Sequence, residues 1–227
     1  MGYDFMADFD EIIVDVDKVN KAIKMEVPLV MTTYTLPRKV EHYIEQVVTL
    51  FLDYVKQSRL RDNVIYCIQE LVVNAKKANT KRVYFIDRGL DLNDQNDYRH
   101  GMSTFKDDTL NNINYYLDLQ RQQGLYIKLI LHLKNNKIAI EVRNNSTITS
   151  LELDRVQKRI NKAREYEDME EAIIHMLDDT EGAGLGLVML VIMLKKLGLE
   201  TNAFDIRKSG SETIARIVIP KDLQKAS

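Results

Sequence analysis

Residues 126–133, Tyr126-Ile-Lys-Leu-Ile-Leu-His-Leu133, and residues 137–143, Lys137-Ile-Ala-Ile-Glu-Val-Arg143, alternate apolar and polar side chains with a period of two. Each run has the pattern of a half-buried strand. The Asn135-Asn136 step between them predicts a tight hairpin, because asparagine tolerates the positive φ that such turns need. Outward from this pair, residues 27–37 read as a short strand closed by Pro37. Residues 38–57 read as a helix with Val40, Ile44, Val47, Val48, Phe51, Leu52 and Val55 on one side. A second helix is expected from Asp62, as N-cap, to Ala78 and on toward Gly89. Beyond the hairpin, 150–177 reads as a charged helix capped by Ser150, and 187–197 as an apolar helix stopped by Gly198. Residues 201–207 and 212–219 read as strands before Pro220. Helices mixed with mostly antiparallel strands predict an α/β (α+β) two-layer sandwich, a mixed sheet with helices on one face.

The 227 residues, 45% of them hydrophobic, suffice for one sizeable core. With 32 basic against 34 acidic residues, there is no basic excess to attract nucleic acid. No apolar run reaches bilayer-spanning length and the first residues lack a basic-then-apolar leader, so a cytoplasmic protein without membrane insertion is expected. The single cysteine, Cys67, lies among Ile65 and Ile68 and reads as a core thiol. His42, His100, His132 and His175 have no metal-ligand spacing. Only His42 invites a phosphoacceptor reading, against the commoner structural role of a helical histidine. Residues 1–26 read as an acidic extension that packs on the domain or on a partner, and 221–227 as a tail.

Four pieces of the chain carry candidate chemistry. On the second helix, Val64, Ile68, Leu71, Ala75 and Ala78 form the stripe expected to be buried, with Glu70, Asn74 and Lys77 as a polar stripe beside it. A carboxylate and an amide oxygen one turn apart can hold Mg2+ directly or through its waters, and a lysine one turn further can meet phosphate. An ordinary solvated helix face has the same composition. The period through Ile138, Ile140 and Val142 puts Asn144 on the core face, where an adenine edge would satisfy its amide. Asn144-Asn145-Ser146 is equally turn composition. Gly182-Ala-Gly-Leu-Gly-Leu187 opens the apolar helix, where backbone N–H groups can approach phosphate closely, the bland alternative being a flexible loop. A dinucleotide fingerprint would sit between strand and helix instead, and no GxxxxGK[ST] occurs. Thr213 alternates with Ala215, Ile217 and Ile219, so its hydroxyl points to the core side, toward adenine, a bridging water or backbone.

Taken in this order, the motifs resemble those of the GHKL superfamily of ATP-binding domains, the Bergerat fold of sensor histidine kinases, gyrase, MutL and the anti-sigma-factor serine kinases. Residues 68–79 resemble its N box, with Glu70, Asn74 and Lys77 on the E-x3-N-A-x-K pattern. Residues 138–148 resemble the segment with the adenine-binding D-x-G motif, 179–187 the second glycine box, and 210–220 the closing glycine-then-threonine strand. Asn144 stands where most members have aspartate, and Ser146 where they have glycine.

The resemblance implies a histidine-kinase-like domain over 27–220 with ATP and Mg2+ as cofactors. Glu70 would be catalytic and, with Asn74, would hold Mg2+; Lys77, Gly182, Gly184, Leu185 and Gly186 would meet the phosphates; Asn144 and Thr213 would hold adenine. Residues 79–124 replace a short loop with an insertion that looks helical from Asp107 to Gln123, and 150–181 would be a mobile, weakly packed lid. The implied activity is transfer of the γ-phosphate to a protein partner, or slow ATP hydrolysis. The alternative is a nucleotide-gated binding module without turnover. The strand-proline-helix opening resembles the serine kinases and favours a separate protein substrate; a homodimer is compatible with either reading.

Overall fold

The computed structural model describes residues 3–5, 13–177 and 184–223. In chain order β1 (Tyr3–Phe5) precedes α1 (Val16–Lys24), β2 (Leu29–Thr33) and α2 (Arg38–Tyr54). A 3-10 turn at Ser58–Leu60 leads straight into the long α3 (Arg61–Asp87), which α4 (Gln95–Asn111) and α5 (Ile113–Gln122) follow. The hairpin β3 (Ile127–Lys134) and β4 (Lys137–Asn144) comes next, then α6 (Ser150–Glu165), α7 (Met169–Leu177) and α8 (Leu185–Lys196). β5 (Phe204–Ser209) and β6 (Glu212–Pro220) close the domain. The strands form one sheet in the order β1-β2-β3-β4-β6-β5, antiparallel throughout except for the parallel β1–β2 pair. The fold is an α+β two-layer sandwich.

The hairpin forms for the reason its sequence gives. Asn135 and Asn136 have φ of 50 and 55°, the left-handed pair of a two-residue turn, and Lys134 stands opposite Lys137. That turn puts Ile127, Leu129, Leu131 and Leu133 beside Asn144, Val142, Ile140 and Ile138 on one face, all buried. On this face α1, α2, α3, α6, α7 and α8 lay down their apolar stripes, from Val19 and Ile23 of α1 to Leu190 and Ile192 of α8, and one core results. At about 25 cal/mol per Å² of apolar surface removed from water, this layer contact is the main stabilising term.

Several expectations change at the element ends. Leu60, with no side-chain bond, occupies the N-cap of α3, and Asp62 falls in the first turn, because the 3-10 turn feeds the helix directly. α6 is capped by Thr149, whose hydroxyl and Glu152 form a capping box, and not by Ser150. The predicted 150–177 helix is two helices: the backbone is extended at Tyr166, and the Asp168 carboxylate accepts from Glu171 N at 2.9 Å to start α7. In the insertion α3 runs on to Asp87, and the next helix begins earlier than Asp107, at Gln95, where Asp94 caps the Asn96 and Asp97 N–H groups. Polar composition hid that start. The described part of the predicted lid is also better packed than its charge suggested, since Ile160, Ala163, Tyr166 and Ala172 all enter the core. Residues 178–181 of that span, and 224–227 of the tail, lie outside the described residues.

Asn136→Val puts a β-branched side chain at a left-handed φ and is expected to cost about 1–2 kcal/mol, while Asn136→Gly keeps or raises stability. Urea denaturation midpoints of the two variants check this.

Candidate functional site

The helical period of α3 sorts its residues. Val64, Ile68, Leu71 and Ala75 are buried as expected, Ala78 is only half-buried, and Asn79 beside it is 1% exposed. Asn74 and Lys77 are exposed and Glu70 is half-buried, and none of the three has a hydrogen bond or ion pair among the described residues. Burial, and after it the nearby Glu70 carboxylate, push the Cys67 thiol up to about 12, so it stays protonated and inert at neutral pH.

The start of α8 meets Glu70. A Cβ built on Gly186 would overlap the Glu70 carboxylate and lie 2.5 Å from its Cδ. Gly184 has a φ of +132°, and a Cβ there would lie 2.8 Å from Arg159 Nη1, carried by α6. The backbone at Gly184 therefore favours glycine, and at Gly186 a Cβ would have to displace the flexible end of Glu70. Gly184 is the N-cap of α8 and supplies no side-chain bond, so the first-turn N–H groups at Leu185, Gly186 and Leu187 keep their donor capacity at the positive end of the helix dipole. Leu185 is exposed. Gly182 lies outside the described residues. Arg159 had no signal in the sequence, where it is one of a series of cations with Lys158, Lys162 and Arg164.

A second cluster forms where β4 ends. Asn144 and Thr213 face each other across the β4–β6 pair. Asn144 Nδ2 donates to Ser146 Oγ at 2.6 Å and Ser146 O at 3.3 Å, and to Asn79 Oδ1 at 3.2 Å. Thr213 Oγ1 donates to Ser146 O at 2.7 Å and accepts from Ile148 N at 2.9 Å, so its hydroxyl is committed to backbone. Asn79, Asn144 and Ser146 are all buried. Asn79 was readable as part of the N box but not as a partner of Asn144. The available signal was a polar residue at i+4 and i+8 from Ala75 and Leu71 on the buried stripe.

A charged clamp ties these segments together. Glu152 of α6 pairs with Lys81 Nζ and Arg82 Nη2 of α3, each at 2.7 Å, and Arg82 also donates to Thr147 O. Burial raises the Glu152 pKa, but Lys81 and Arg82 outweigh it and hold the carboxyl down at about 2. On the far side of this clamp, Arg82, Ile86, Leu92, Ile148, Leu153 and Lys208 help line a cleft of about 670 Å³ that contains none of the predicted site residues. Among the described residues no group of three or more His, Cys, Asp or Glu side chains could hold a metal by itself, and no helix is long and apolar enough to cross a membrane.

The chain is similar to an uncharacterized protein of Treponema pallidum (strain Nichols), with 47% identity over 214 residues, 94% of this chain and 42% of that protein. It thus spans less than half the length of that relative. No family model and no solved structure matches the chain.

The Glu152 carboxyl has a folded-state pKa below its unfolded value of 4.5, so the stability it contributes is present above pH 4.5 and is lost as the pH falls toward 2. Thermal melts across that window should show a loss on the order of 3 kcal/mol in wild type that is absent from Glu152→Gln, which starts out destabilised at pH 7.

Proposed function

We propose that this protein is a cytoplasmic signalling protein of the GHKL type that binds ATP with Mg2+ and transfers the γ-phosphate to a protein partner or hydrolyses ATP slowly. The observation that carries the reading is the contact of the Glu70 carboxylate with Gly186. It joins the one acidic member of the N-box stripe to the uncapped start of a helix. An acid oriented at an anion-binding helix start is what phosphoryl chemistry requires of a protein, which supplies positioning and electrostatics and little covalent chemistry.

Glu70 and Asn74 fit Mg2+ as hard oxygen donors one turn apart, with no side-chain partners among the described residues; the remaining ligands would be water and phosphate oxygens. Bound there, the ion would neutralise charge on the β- and γ-phosphates. Lys77, one turn on, adds a cation, and the N–H groups at Leu185 and Gly186 add donors. At the other end Asn144 would meet the base, with Thr213 holding the Ser146–Ile148 segment against it. From Glu70 to Asn79, the partner of Asn144, α3 rises about 13 Å, a separation that suits an extended nucleotide with its base at one end and its terminal phosphate at the other.

The commitment of Thr213 to backbone favours one second reading, a module that binds nucleotide and presents a surface without turnover. Calorimetric titration and steady-state turnover separate the two. Wild type should bind Mg-ATP in the micromolar range, on the order of −8 kcal/mol, and turn it over. Glu70→Ala should lower turnover about 100-fold or more. Gly186→Ala should do nearly the same with the fold intact, because its Cβ displaces only the flexible end of Glu70. Binding with no turnover in wild type would select the module, and no binding would remove both readings.

A further inference from the structure

We infer that Asn79 is a positioning residue that fixes the direction of the Asn144 amide and thereby makes the pocket select a 6-amino purine over a 6-oxo purine; this rests on the nucleotide reading above. An asparagine amide has a donor end and an acceptor end of nearly equal shape, so a lone asparagine can present either to a base. Here the direction is set by a relay that begins at a group unable to donate. The Tyr126 carbonyl accepts from Asn79 Nδ2 at 3.1 Å. Asn79 must therefore turn Oδ1 toward Asn144, and Asn144 must answer with Nδ2, at 3.2 Å. The Ser146 carbonyl, 3.3 Å from Asn144 Nδ2, makes the same demand from the other side. Reversing Asn144 would set its oxygen against two acceptors at once.

The relay has little freedom to relax. Asn79 is 1% exposed, Asn144 3% and Ser146 4%, so a mispaired group gains no help from water. Tyr126, where the relay starts, is held on its other side by Asn145, whose Oδ1 accepts from Tyr126 N at 2.8 Å while its Nδ2 donates to Gly124 O at 3.0 Å.

Asn144 Oδ1 is what remains. It has no hydrogen bond among the described residues, and it is not among their fully buried unpartnered atoms, which are Gln57 Oε1, Arg61 Nε, Tyr166 Oη and Arg216 Nε. The network thus leaves one oriented acceptor without a partner among the described residues. An exocyclic amine at purine position 6 donates to it; a carbonyl at that position opposes it. An aspartate at 144 would need no orienting partner, whereas asparagine does, and Asn79 is the side chain that, with the Ser146 carbonyl, supplies the orientation.

The test is the ratio of ATP to inosine triphosphate affinity, two nucleotides that differ at and next to position 6, measured by calorimetry on the full chain with Mg2+. Wild type should favour ATP about tenfold or more. Asn79→Ser, whose hydroxyl can donate or accept, should lower the ratio several-fold while the Ser146 carbonyl keeps part of the preference, with a cooperative thermal melt, at reduced stability, as the control for folding. Asn144→Asp should lose ATP affinity against the fixed Asn79 acceptor, and Asn79→Ser/Asn144→Asp should recover part of it, a rescue that a merely structural role for Asn79 would not give. Equal affinity of wild type for the two nucleotides, or an unchanged ratio in Asn79→Ser, overturns the inference and leaves the nucleotide reading standing. Binding of neither by wild type overturns both.

Discussion

Burial of one face of α3 against β3 and β4 is the constraint on which the site depends. A helix turns about 100° per residue, so holding Ile68, Leu71 and Ala75 against the sheet leaves no choice about where the other residues face. Glu70, Asn74 and Lys77 take one flank. Asn79 arrives at the end of β4, against Asn144. Because α8 also packs on α3, its first turn is brought to the Glu70 flank, and the glycines at 184 and 186 are what permit the approach.

Two kinds of polar chemistry lie along this helix, and solvent access separates them. The flank of Glu70, Asn74 and Lys77 is accessible and has no side-chain partner among the described residues, so its groups stay solvated at little cost. The Asn79–Asn144–Ser146–Thr213 cluster is sheltered, and there the Asn79 and Asn144 amides and the Thr213 hydroxyl each donate to an acceptor, because an unmatched buried group costs about 1–3 kcal/mol. Rigidity at one end and availability at the other is the division that the proposed nucleotide site would need.

The second half of α3 extends beyond the sheet and builds a smaller core of its own, Val83, Tyr84, Phe85, Leu92 and Tyr116, with α4 and α5. This insertion braces α6. Arg155 lies over the Tyr98 ring at 4.3 Å, and Glu152 holds Lys81 and Arg82. The same Arg82 grips Thr147 O, in the segment that carries Ser146 and Ile148 to Thr213. The insertion is therefore tied to the Asn144 end of the site through the Thr147 backbone as well as through Asn79 and Gly124, and α6 is less free to move than its charged composition implied.

The periodicity of the chain by itself determined the hairpin, the apolar faces of α2, α3 and α8, the two-layer architecture, and which residues of α3 would be left on its polar flank. Those follow from local rules: a period of two or of 3.6 assigns a side chain to a face before any partner is known. The caps of α3 and α6, the break at Tyr166 and the early start of α4 were not legible, since they turn on single hydrogen bonds and on polar sequence with little periodic signal. Nor were the pairings that give the site its chemistry. That Glu70 meets Gly186, that Arg159 lies on Gly184 and that Asn79 orients Asn144 were decided only by the tertiary structure, because each joins residues far apart in sequence whose separation in space is set by how helices pack on a sheet.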